Sequence, residues 1–143
     1  MNWKILAIAG VVGVAGAISL AVMSDRETEA PAAAGSSDAL ARVTLPASLS
    51  DMGKIGEQIF TAKCSDCHGV NAVGVDGAGP PLIHKIYEPS HHGDEAFQRA
   101  VQLGVRSHHW SFGDMAPVEG LTRGDVAAII SYIREVQRAN GIS

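Results

Sequence analysis

The segment Cys64-Ser65-Asp66-Cys67-His68 constrains this chain more than any other stretch of it. Two thiols three residues apart, with an imidazole directly after the second, concentrate three reactive side chains at one point. Three chemistries use such a set. A redox dithiol of the C-x-x-C kind normally follows a strand at a helix N-terminus, whereas here a helical stretch precedes Cys64 and a glycine-rich loop follows His68. A zinc site from Cys64, Cys67 and two later histidines has acceptable ligand types, but it leaves Met115 and the loop Gly77-Ala78-Gly79-Pro80-Pro81-Leu82 without roles. The third is attachment of one c-type haem, in which each thiol forms a thioether with a vinyl group and His68 lies beneath the iron as proximal ligand. The pattern matches that chemistry residue for residue, and attachment leaves no free thiol for disulfide exchange.

The rest of the chain suits a protein that needs such a group in its core. Of 143 residues, the first third lacks the patterning of a packed domain, which leaves roughly 90 for the fold. Chains of that size bury little surface, and a covalently held apolar macrocycle adds to it. The formal charge is −4 and Lys and Arg are scattered, so the basic footprint of nucleic-acid binding is absent. Two cysteines are too few for a disulfide framework.

Residues 5–23 are uncharged and almost wholly apolar. As a helix they span about 28 Å, close to the hydrocarbon thickness of a bilayer. Lys4 precedes the stretch while Asp25, Arg26, Glu27 and Glu29 come after it, a bias that keeps the N-terminus in the cytoplasm and exports the C-terminal domain. Residues 1–23 are therefore expected to be a membrane anchor. Small residues at Ala15-Gly16-Ala17 and Ser19-Leu20-Ala21 keep a cleaved signal segment open as the alternative. Residues 24–50, rich in Ala, Pro and Ser, read as a flexible linker with a span of about 25 to 30 Å, and residues 51–143 as the domain.

Within that domain the periodicity predicts helices and no strands. Met52, Ile55, Ile59 and Phe60 share a helix face, with Ser48 and Asp51 as start signals and Gly56 on the same side. A second helix is predicted from Asp94 to Leu103, with Phe97, Ala100 and Val101 on one face and Gly104 as its stop. Thr122 and Asp125 form a capping box, and Val126, Ile129, Ile130 and Ile133 make the apolar stripe of a terminal helix ending near Asn140-Gly141.

The iron needs a sixth ligand or an open position, and that choice separates a carrier from a gas binder or catalyst. Met115, in Gly113-Asp114-Met115-Ala116-Pro117, offers a soft thioether that raises the potential and closes the site. The carbonyl of Pro80 is the expected acceptor for the second ring nitrogen of His68, and Leu82 is expected to pack on the macrocycle. His84, His91, His92, His108 and His109 make this region unusually rich in histidine. His108 or His109 in place of Met115 gives a bis-histidine site of lower potential. The pairs alternatively bind a second metal, or hydrogen-bond to solvent or a propionate, as Trp110, Tyr87 and Arg106 also can.

From about Asp51 onward the chain resembles the small class I c-type cytochromes of the bacterial, membrane-anchored or periplasmic kind. The resemblance rests on Gly56 and Phe60, on C-S-D-C-H-G, G-P-P-L and G-D-M-A-P, and on Ile129, Tyr132 and Ile133. It implies an all-α cytochrome c fold, helices wrapped around one covalent haem c, with the first and last helices crossing at Gly56 and Tyr132. It further implies His68 and Met115 as axial iron ligands, and one-electron transfer through an exposed haem edge rather than enzymatic turnover. The partners it implies are a quinol:cytochrome c oxidoreductase and a terminal oxidase or reductase, met on the periplasmic side of the inner membrane. Two other functions stay open: a haem gas sensor or peroxidase-like enzyme with a labile sixth ligand, and an obligate subunit of a larger oxidoreductase.

Overall fold

A computed structural model describes residues 39–143. The anchor expected over residues 1–23 and the first part of the linker lie outside the described residues. No helix among the described residues is long and apolar enough to cross a membrane. The elements are α1 (Asp51–Lys63), α2 (Ser65–His68), α3 (Asp94–Leu103) and α4 (Arg123–Ala139), with single 3-10 turns at Val70–Ala72 and Lys85–Tyr87. Among the described residues there are no strands, only isolated antiparallel bridges between Val75 and Gly79 and between Val105 and Met115.

Both α1 and α4 start where a side chain satisfies the first free N–H groups of the helix. The Ser50 hydroxyl accepts from the Gly53 N–H and opens α1, so the cap falls between the two expected start signals. The Thr122 hydroxyl accepts from the Asp125 N–H while the Asp125 carboxylate accepts from the Thr122 N–H, completing the predicted capping box. Gly104 ends α3 at φ +75°. A β-carbon there would lie 2.4 Å from the Met115 carbonyl oxygen, so the stop and the approach of the next loop are one requirement.

The core forms where α1 crosses α4. The contact face of α1 keeps Gly56 and Phe60 of the predicted one, both buried together with Gly53, and Ile59 packs on the core, but Met52 and Ile55 are each about half exposed, at 51% and 52%. The physical cause is backbone proximity. A β-carbon on Gly56 would sit 1.9 Å from the Ala128 carbonyl oxygen, so glycine is required where the two backbones meet. The crossing is thus at Gly56 against Ala128 and Ile129, one turn before Tyr132. Tyr132 packs instead on Phe60, with ring centroids 5.6 Å apart, a tilted pair that adds about 0.5–1.5 kcal/mol beyond its buried area. The predicted stripe of α4, Val126, Ile129, Ile130 and Ile133, is buried throughout.

Two polar side chains of α4 reach into the loop that precedes α3. Arg134, buried, donates to the carbonyls of Tyr87 at 2.6 Å and His92 at 2.5 Å and to the Asp94 carboxylate at 3.0 Å. Gln137, fully buried, donates to the carbonyls of Leu82 and Tyr87. On the opposite flank, residues 40–49, expected to finish the linker, lie against the domain. Leu40 and Ala41 donate to the Val73 carbonyl, Thr44 exchanges two hydrogen bonds with the Asn140 side chain, and Val43 and Leu49 pack on the core.

Candidate haem site

Cys64 is the residue at which α1 stops. Its N–H donates to the Phe60 carbonyl as the last helical bond, and its backbone (φ −124°, ψ −24°) turns the chain into α2. One turn on, His68 donates its N–H to the Cys64 carbonyl at 2.9 Å, so the two cysteines and His68 lie on a single tight helical turn. Burial, with the nearby Cys67 second, pushes the Cys64 thiol up to about 11. A thiol held protonated at neutral pH is a poor nucleophile, which argues against the redox-dithiol reading.

His68 Nδ1 lies 2.9 Å from the Pro80 carbonyl oxygen. A carbonyl only accepts, so Nδ1 carries the proton and Nε2 keeps its lone pair. Burial pushes the His68 imidazole below the ordinary histidine range, with the hydrogen bond to Pro80 opposing it. The ring is therefore a neutral donor of fixed tautomer, the form in which histidine ligates iron.

The Pro80 carbonyl is positioned by the loop before it. Asn71 and Ala72 both adopt left-handed backbone, φ +60°, a conformation that costs non-glycine residues of order 1–3 kcal/mol and concentrates at functional sites. Here it turns the Ala72 carbonyl to accept from the Leu82 N–H at 2.9 Å. Gly79 then passes so near Cys67 that a β-carbon would lie 2.7 Å from its carbonyl oxygen. The Val75–Gly79 bridge closes the turn. Leu82 is buried in the core cluster. The Asn71-Ala72 kink escaped sequence reasoning, since only Asn71 is of a type that favours left-handed backbone.

Met115 is held by a different device. It exchanges two 2.9 Å backbone hydrogen bonds with Val105, which closes residues 106–114 into a loop. Within that loop Ser107 donates its N–H to the Asp114 carboxylate and its hydroxyl to the Trp110 carbonyl. The apolar side chains here, Val105, Trp110, Phe112 and Met115, are half-buried and none belongs to the main core cluster. The Trp110 indole Nε1 is buried without a hydrogen-bond partner. Burial pushes the Tyr87 phenol up, and the nearness of that indole N–H opposes the rise. His84 packs edge-on against Trp110, centroids 5.3 Å apart. His108 and His109 gather with His91 and His92 on the surface instead.

These residues fit a covalently bound haem. Two cysteines stand on one turn beside a neutral histidine of the right tautomer, a glycine passes tightly over that turn, and a half-buried apolar loop presents a thioether and an unpaired indole N–H. A helical domain with that site is a haem-c-binding protein.

The chain belongs to the cytochrome c family: the family model for cytochrome c matches residues 53–137, more than half of its length. It accordingly carries covalently bound haem c, with Cys64 and Cys67 as the two cysteines of the C-x-x-C-H attachment motif. The chain is 30% identical over 79 residues to the cbb3-type cytochrome c oxidase subunit CcoP of Helicobacter pylori strain ATCC 700392 / 26695, and to that of strain 52. The match covers 55% of this chain and 25% of either relative, so the chain spans about a quarter of the length of these curated relatives. No solved structure matches it.

Proposed function

We propose that the protein is a one-electron carrier whose haem iron is held between His68 and Met115, working on the periplasmic side of a bacterial inner membrane. The observation that carries this reading is the hydrogen bond from His68 Nδ1–H to the Pro80 carbonyl, because it sets both the tautomer and the ring orientation that a permanent proximal ligand requires. Haem c, when bound, supplies the one-electron iron couple. The protein's part is to hold both ligands so that little moves when the charge changes. On one side the Asn71-Ala72 kink and the Gly79 passage fix Pro80. On the other, the Val105–Met115 bridge and the Ser107–Asp114 bond restrain the thioether. A soft sulfur donor opposite imidazole raises the potential and closes the sixth position to gases and peroxide. The apolar run of residues 5–23 and its charged flanks support the exported placement, with the anchor retained or cleaved.

The ferric optical spectrum tests it. A methionine-to-iron charge-transfer band at its red end, with slow or no carbon monoxide uptake by the reduced protein, is the expected result. Rapid carbon monoxide binding to freshly reduced protein replaces the carrier by the sensor or peroxidase-like reading.

The likeness to an oxidase subunit favours a second reading for the partners. A terminal oxidase is the electron acceptor, with this domain either docking transiently or residing in the complex as a subunit. Transient redox encounters bury little surface, whereas a subunit stays bound. Native electrophoresis of solubilised membranes, stained for haem, separates a free band from one that migrates with an oxidase.

A further inference from the structure

Four of the six histidines of the chain meet at a place the haem site does not use. His91 and His92 come from the loop before α3, and His108 and His109 from the loop that leads to Met115. Their rings close on one another, with centroids 4.7 Å apart for His91 and His92, 5.4 Å for His91 and His109, 5.3 Å for His92 and His109, and 4.2 Å for His108 and His109.

We propose that His91, His92 and His109 form a second metal site, for a divalent transition ion of borderline softness such as Zn2+, Cu2+ or Ni2+, with His108 alongside as a further imidazole. The ligand nitrogens of the three lie within 4.8 Å of one another. Tetrahedral zinc with nitrogen ligands at about 2.0–2.1 Å needs them roughly 3.4 Å apart, a difference that small rotations of these surface rings cover. All-imidazole donors select zinc, copper and nickel over magnesium and calcium, which take oxygen.

Two further features make the cluster a built site. First, His92 Nδ1–H donates to the Ile86 carbonyl at 2.7 Å and His108 Nδ1–H to the Arg106 carbonyl at 2.9 Å. Each bond leaves Nε2 with a free lone pair, the outer-shell arrangement that orients metal-binding histidines. Second, both loops are held before any ion arrives. The His92 carbonyl is anchored by buried Arg134 of α4, and the partner loop is closed by the Val105–Met115 bridge. An ion bound here bridges those two loops, and one of them ends at Met115.

Isothermal titration of the intact holoprotein with Zn2+, after removal of adventitious metal by chelation, tests the site. One stoichiometric Zn2+ per chain, with a melting temperature that rises as Zn2+ is added, is the expected result. His91→Ala combined with His109→Ala weakens binding at least about a hundredfold, more than outer-shell changes cost, and leaves the ferric and ferrous haem spectra unaltered. Those spectra and the zinc-free melting temperature report that the variant is folded, and the single His109→Ala variant gives the same comparison if the double one is not. Absence of stoichiometric Zn2+ binding by the unmodified protein, or affinity that survives in the folded variants, overturns the proposal and leaves the haem assignment untouched.

Discussion

The chemistry of this domain comes down to what surrounds a few atoms. His68 is useful because one of its nitrogens is committed to Pro80 and the other is not, and Cys64 because it stands on the same helical turn as Cys67 and His68. Met115 is restrained through its backbone, so replacing its side chain removes the sulfur without dismantling the loop. Met115→Ala is expected to retain covalent haem, as read by intact mass, while the reduction potential falls and carbon monoxide binds the reduced protein readily. An unchanged potential assigns the sixth ligand to another residue. The buried indole N–H of Trp110, beside the Tyr87 phenol, belongs to the same scale.

At the scale of elements, the junction of α1 with α4 bears most of the fold. Gly56 touches main chain, and main chain cannot rotate away as a side chain can, so Gly56→Val is expected to cost about 3 kcal/mol or more. Thermal melting of the holoprotein reads this as a loss of more than about 10 °C. A polar clasp fastens the same two helices: Glu135 of α4 accepts from the Ser50 N–H at 2.9 Å and from the Ser50 hydroxyl at 2.6 Å. Burial pushes the Glu135 carboxyl up, but the hydrogen bonds from Ser50 and Ser131 outweigh it and hold the group below the usual glutamate range. A carboxyl whose folded pKa is depressed adds stability above its unfolded pKa and loses it as the pH falls through the folded value. Glu135→Gln should therefore melt below the unmodified protein at pH 7, with the gap closing as both are acidified through the usual glutamate range and below it. A gap independent of pH contradicts the charge-based account. By contrast, the Glu95–Arg123 pair, between α3 and the start of α4, is exposed on both sides, and such pairs contribute little.

At the scale of the whole molecule, the polypeptide and its haem are one folding unit. The main cluster, Phe60, Leu82, Ile83, Ile129, Tyr132, Ile133 and Val136 with Ala72, is a small core for a domain of this length, and the loop carrying Met115 contributes nothing to it. Replacing Cys64 and Cys67 together with alanine should leave the chain without covalent haem and strip most of its helical circular dichroism, since domains this short stand at the margin of stability alone. A haem-free variant of full helicity and cooperative melting shows that the macrocycle is not needed for the fold. Residues 40–49 extend the unit beyond its first helix. Their Ala, Pro and Ser content resembles a linker, yet the apolar Val43 and Leu49 find places on the core and Asn140 pairs with Thr44.

The attachment motif, the limits of α3, the capping box of α4 and its buried stripe were all legible in the linear order of residues, because each depends on neighbours within a turn or two. The cytochrome c family and its covalent haem were legible for the same reason: C-x-x-C-H is local chemistry. The face that α1 turns inward was legible at Gly56, Ile59 and Phe60 but not at Met52 and Ile55, since the glycines at the helix crossing let two backbones touch, and hydrophobic periodicity is blind to that contact. Nor were the left-handed kink at Asn71-Ala72, the reach of Arg134 and Gln137 into a distant loop, or the meeting of four histidines from two loops. Those are set by contacts between residues far apart in the chain, and only the packing of α1, α3 and α4 brings them together.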